Sequence, residues 1–224
     1  MKKIAFTTLF LLGVWLASAD DFSDATGSQV TPADPALRKE LLQRMDSDQR
    51  VRKAAMSWCK QHNTTIDVDK NRLSAKENSE YENLFAAVPK IDEENTRWLK
   101  QIVEQRGWPT ISMVGSDGAS AAWLLVQHAD ADIKFQRKCL DLMAALPKNE
   151  LSQTHFAYLT DRVLLAEGKK QIYGTQFDWI EGKFQPLPLE DEANVDKLRA
   201  DAGLPPLAEY AKEMRELYIG DSKK

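Results

Sequence analysis

Three segments of this chain set hydrogen-bonding and titratable side chains into apolar surroundings. They are Gln127-His128-Ala129-Asp130, Tyr158-Leu159-Thr160-Asp161-Arg162 and Gln171-Ile172-Tyr173-Gly174-Thr175-Gln176, with Gln136 between the first two. A polar group taken out of water costs several kcal/mol unless it finds a partner, so such a concentration marks a binding or catalytic site or a buried structural network. His128 beside Asp130 is the pair with most chemistry in it. An imidazole titrates near neutrality, and a carboxylate orients it as a general base. Residues two apart on a helix do not face each other, so this pair requires the helix to end at His128. The bland alternative is that His128 caps one helix and Asp130 opens the next, each favourable to a helix dipole. Asp161 and Arg162, adjacent on a helix, point to different partners, and the guanidinium is suited to an anionic group. His128, Asp130, Asp161 and Arg162 are therefore the catalytic candidates. Gln127, Gln136, Gln171, Tyr173, Thr175 and Gln176 are expected to line the ligand. If Gln171–Phe177 is a strand, Tyr173 and Thr175 share one face, and Gly174 marks a close backbone approach.

Asp48 and Arg52 join the ligand-binding set because they sit four residues apart in the apolar seam of the first helix, and Asn95 occupies the apolar face of the second. A solvated i,i+4 pair on a drifting seam is the competing reading for the first two. With three histidines in the chain and no H-x-x-x-H spacing, no metal site and no cofactor are expected. No G-x-S-x-G elbow is present, and the cysteines fall in helical faces rather than at a helix N-terminus. Cys59 and Cys139 are open to two readings, a disulfide in an oxidising compartment or two buried small hydrophobes.

Lys2-Lys3, the apolar run Ile4–Leu16 and Ala17-Ser18-Ala19 have the layout of a signal peptide over residues 1–19. The run is too short to span a hydrocarbon core of about 30 Å, so no permanent membrane anchor is expected after processing. The protein is expected to be exported, to the periplasm or beyond. Cleavage takes two lysines and moves the formal charge of the 224-residue chain from −4 to −6. That balance argues against nucleic acid or an anionic membrane as partner.

The elements that must position the candidates are mostly helices. Residues 20–33 read as a flexible lead. Asp34-Pro35 is an N-cap followed by proline at the first helical position, and the helix runs to about His62. Asn63–Ser79 reads as a polar connection before a helix from near Ile91 to Gly107. Ser116 or Asp117 is the expected cap of a buried helix ending in Gln127-His128. Further helices are expected from near Asp132, over 152–167, over 191–202 and over 206–218. Gln171–Phe177 and Lys183–Leu187 are expected to form a hairpin across Asp178–Gly182, with Trp179 exposed at its tip. The fold class is mainly α, a single helical domain over 34–220 with one β-hairpin near 171–187.

Gly107-Trp108-Pro109, Gly115, Gln127-His128-Ala129-Asp130, Ala157–Arg162 and Gln171–Gln176 together resemble an uncharacterised bacterial domain family. Asp48-Gln49-x-x-Arg52 and Val195-Asp196-x-x-Arg199 are similar to its flanking elements. The resemblance covers about residues 37–210 and implies one domain, with no activity attached. The functional expectation is an exported protein whose polar pocket takes a small-molecule or peptide-like ligand, with hydrolysis as its chemistry. The alternative is a protein-binding envelope module of inhibitor or immunity type, whose polar cluster is a structural network.

Overall fold

The computed structural model describes residues 31–64 and 68–219; the expected signal peptide and the expected lead through residue 30 lie outside the described residues. Seven α-helices and one two-stranded antiparallel hairpin make up the described chain, so the protein is mainly α. The chain divides into two compact units, one through Phe135 and one from Gln136 onward.

The first unit begins with α1, Pro35–Gln61. Asp34 caps it by accepting from the Leu37 amide at 2.9 Å, and Pro35 supplies a pre-set φ where no amide is needed. Its far end closes with Asn63 at φ 48°, while the Thr64 amide returns to the Cys59 carbonyl at 3.0 Å. This is the left-handed termination that asparagine tolerates. Leu37, Leu41, Ala55, Trp58 and Cys59 bury one face, and Asp48 and Arg52 lie within that same face.

The second helix, α2, spans Ala75–Arg106 and starts well before the expected Ile91. Ser74 and Glu77 form a reciprocal capping box that satisfies two amide donors at the start. Val88 is its only buried residue before Asn95, so the first half lacks the apolar stripe by which a helix is recognised. Pro89 adds a residue that reads as a break and is here inside the helix. Gly107, at φ 78°, ends α2.

The third helix, α3, spans Ile111–Gln127 and is capped by Thr110, not by Ser116 or Asp117. Its first turn is separated from the rest by Gly115 at φ 78°. A Cβ there would meet Asp117 Oδ1 at 3.1 Å, in a backbone conformation side chains rarely adopt. Asp117 instead pairs with Arg38 of α1 at 2.5 and 2.8 Å. From Gly118 to Gln127 every residue is buried, and α3 packs on α1 and α2. Helix α4, Ile133–Ala144, follows Asp132, whose carboxylate accepts from the Phe135 amide; the division between the units falls within it.

In the second unit, Ser152 caps α5, Gln153–Ala166. Strands β1, Phe177–Ile180, and β2, Lys183–Pro186, pair with Ile180 opposite Lys183. The turn is therefore Glu181-Gly182 alone, both at positive φ (52° and 78°), the two-residue geometry that matches strand twist. The expected loop Asp178–Gly182 is thus mostly strand, and of the expected strand Gln171–Phe177 only Phe177 is in a strand; residues 171–176 form a loop that meets Leu189 through a single bridge at Gln171. The amides of Ile172, Tyr173, Thr175 and Gln176 are taken by side chains, which removes them from any ladder. Helices α6, Val195–Asp201, and α7, Leu207–Ile219, complete the unit. Cys59 and Cys139 are both buried and neither is in a disulfide. Among the described residues no helix is long and apolar enough to cross a membrane.

Candidate functional site

Three helices of the first unit bring their charges to one place. Asp48 and Arg52 stand one turn apart on α1, Asp92 comes from α2, and His128 is the C-cap of α3. Arg52 Nη1 donates to Asp48 Oδ1 at 2.8 Å, and Nη2 donates to both Asp92 oxygens at 2.8 and 2.9 Å. His128 Nδ1 lies 3.1 Å from the same Asp48 oxygen, and Gln49 Nε2 donates to the other at 3.0 Å. The side chains of Asp48, Arg52 and His128 are at most 1% exposed, while that of Asp92 is 18% exposed. Asn95, one turn beyond Asp92, is buried and accepts from Arg44 Nη1 at 3.3 Å.

The electrostatics separate the two carboxylates. Burial alone would raise Asp48, but the His128 ring and the Arg52 guanidinium outweigh it and hold the carboxyl below its ordinary range. Burial raises Asp92 above the ordinary range, and the pull of Arg52 and His128 only partly offsets it. An acid–base site is built from such a divergence between neighbouring acids. Ligand atoms of Asp48, Asp92 and His128 lie within 4.8 Å of one another, close enough to meet at one ion. Arg52 already sets a cation on both carboxylates, however, and a divalent ion would turn the cluster's single excess negative charge into a positive one. These side chains are therefore not assigned as metal ligands.

The sequence candidates fall into both units. Asp48, Arg52, Asn95, Gln127, His128 and Asp130 belong to the first, and Gln136, Asp161, Arg162, Gln171, Tyr173, Thr175 and Gln176 to the second. The structure joins His128 to Asp48, eighty positions earlier in the chain; Asp130 is exposed at the turn that follows α3. Gln127, Gln136 and Arg162 are buried. In the second unit Asp161, Gln171 and Arg199 hold the Gln171–Gln176 loop. Asp161 Oδ1 accepts from the Ile172 and Tyr173 amides at 2.7 and 3.0 Å, and Oδ2 from the Thr175 amide and hydroxyl at 2.9 Å each. Burial pushes this carboxyl up, against the downward pull of those four bonds. Gln171 donates to the Gln176 and Leu187 carbonyls and accepts from the Gln176 amide. Arg199, fully buried, donates to the Tyr173, Gly174 and Pro205 carbonyls and stacks on Tyr210. Gly174 has φ 69°, and a Cβ would come within 2.9 Å of Leu207 Cδ1.

Sequence reasoning missed Asp92 and the clamping role of Arg199. Asp92 precedes Asn95 by one turn, so the face that singled out Asn95 also contained the signal for Asp92.

A family model described as a family of unknown function, DUF6624, matches residues 35–223. The chain belongs to the DUF6624 family. No curated protein and no solved structure matches it. The match runs through both units of this DUF6624 chain, so the Asp48–His128 cluster and the clamped loop both lie inside the family's domain.

Proposed function

We propose that the mature DUF6624 chain works outside the cytoplasm, where the α1–α2–α3 cluster binds a small or peptide-like polar ligand and hydrolyses it. The observation that supports this is the Asp48–His128 contact at 3.1 Å, backed by the Arg52 bridge and assembled from three separate helices. An imidazole anchored by an ionised carboxylate accepts a proton from attacking water, and Asp48 stabilises the imidazolium that results. Asp92, the most exposed of the four, is the member of the cluster that a ligand in solvent would meet first. The export part of the proposal rests on the signal-peptide layout of residues 1–19.

A second reading, a protein-binding envelope module, is favoured by a different observation. Asp161 and Arg199 of the second unit serve their own loop, while Trp179 is 52% exposed on the hairpin and offers an aromatic anchor. The test uses the mature chain with a p-nitrophenyl ester series and a dipeptide-amide library as probes. Under the hydrolytic reading, His128→Gln and Asp48→Asn each lower turnover at least a hundredfold. Turnover that survives both substitutions would count against it. An inert wild type that co-purifies with one stable partner, lost in Trp179→Ala, establishes the binding module.

A further inference from the structure

Two carboxylates face one guanidinium in the cluster, which leaves one negative charge if His128 is neutral. An uncompensated charge at such depth is strongly unfavourable, so the fold favours the state in which one more positive charge is present. Asp48 does not take a proton readily, because it already has three donors around it: Arg52 Nη1, Gln49 Nε2 and the His128 ring. The proton is then left to the His128 ring or to Asp92, whose two oxygens share one Arg52 nitrogen. Asp92 is also the member with an outlet, at 18% side-chain exposure against 1% or less for the others.

We propose that Asp92 is the proton-exchanging acid of this site: the cluster holds one dissociable proton, shared between Asp92 and His128, and gains and loses it through the Asp92 carboxyl. The charged and titratable groups that face Asp92 are Arg52 and Asp48 from α1 and His128 from the end of α3. On its own helix the next turn presents Asn95, held by Arg44. Burial acts on Asp92 in the same direction, favouring the neutral carboxyl. Uptake of the proton takes the cluster from one negative charge to none.

This assignment rests on the hydrolytic reading for its use, and it balances that reaction. His128 takes a proton from the attacking water as the new carbon–oxygen bond forms. Asp92 gives its proton to the leaving group as the old bond breaks. The cluster then still holds one proton, now on His128, and its return to Asp92 restores the starting state.

The experiment needs no ligand. The mature chain, labelled with ¹³C and ¹⁵N, is titrated from about pH 4 to 9 while the Asp92 Cγ and His128 ring resonances are followed, with Asp92→Asn and His128→Gln used for assignment. Expected is a pair that titrates together, with shared midpoints in both signals and one proton held at neutrality. The proposal is overturned if the Asp92 signal stays at its ionised position while His128 titrates alone. It is equally overturned if Asp92 is ionised and His128 neutral together at pH 7. Should Asp92→Asn not fold, the wild-type titration decides alone. Coupled titration in a protein that hydrolyses none of the probes removes the hydrolytic reading and keeps the proton site. Hydrolysis without coupled titration does the reverse.

Discussion

Replacing Asp161 by asparagine separates a structural carboxylate from a catalytic one. The wild-type group accepts four hydrogen bonds of 2.7–3.0 Å, two at each oxygen, and three of the donors are backbone amides of the Ile172–Thr175 loop. Asparagine keeps the shape but has one acceptor oxygen, which can serve one pair. Its NH₂ then faces the other pair. If that pair is on Thr175, the hydroxyl can rotate to accept, but the amide N–H cannot. One buried donor without an acceptor costs roughly 1–3 kcal/mol, and the loss of charge assistance on the surviving bonds adds about 1 kcal/mol. The expected destabilisation is about 3 kcal/mol, measured by urea unfolding followed by circular dichroism at pH 7. Hydrogen exchange at the Ile172, Tyr173 and Thr175 amides should accelerate in parallel. A loss below about 1 kcal/mol with unchanged exchange would refute the clamp. Combined with lost turnover, that result would return Asp161 to a catalytic role.

Other substitutions probe the rest of the molecule. Arg52→Met strands two carboxylates and should cost about 3–5 kcal/mol, with Asp92→Asn in the same chain recovering a large part of it in chemical denaturation. His155, buried in α5, has its pKa lowered by that burial from 6.5 to about 4. The unfolded state therefore binds the proton first, and this residue's contribution to stability falls as pH drops from about 6.5 towards about 4, by up to roughly 3 kcal/mol. His155→Leu should flatten that part of the stability–pH curve, and an unchanged slope would contradict the burial argument. Gly174→Ala combines a positive φ with a Cβ 2.9 Å from Leu207 Cδ1, whereas Gly107→Ala has the positive φ and nothing within 4 Å. The first should cost about 2–4 kcal/mol and the second about 1 kcal/mol in the same unfolding assay.

Local chemistry explains which parts of the fold were legible. Asp34-Pro35 at one end of α1 and the helix end at Gln127-His128 are written in caps and apolar runs, and the structure has both. The first half of α2 was not legible by periodicity, since Val88 is its only buried residue before Asn95. The Ser74–Glu77 capping box was the one local sign of its start. The hairpin was found in the right region but displaced. Gln171–Gln176 has strand-like residues, yet its donors go to Asp161 and Gln171, and that competition is invisible to a pattern of period two.

By itself the sequence determined the helical class, most helix ends and the set of polar residues that sit against apolar faces, because caps and periodicity act within a few residues. Only the tertiary structure decided which of those residues meet. Asp48 and His128 are brought together by the packing of α1 on α3, and Asp92 joins them from α2 through Arg52. Those pairings arise from contacts between helices forty to eighty positions apart in the chain, and no local rule encodes the partner of a buried charge. The same packing divides the polar residues between a charge cluster in one unit and a clamped loop in the other. Their types are a property of the chain, and their roles come from the neighbours that folding supplies.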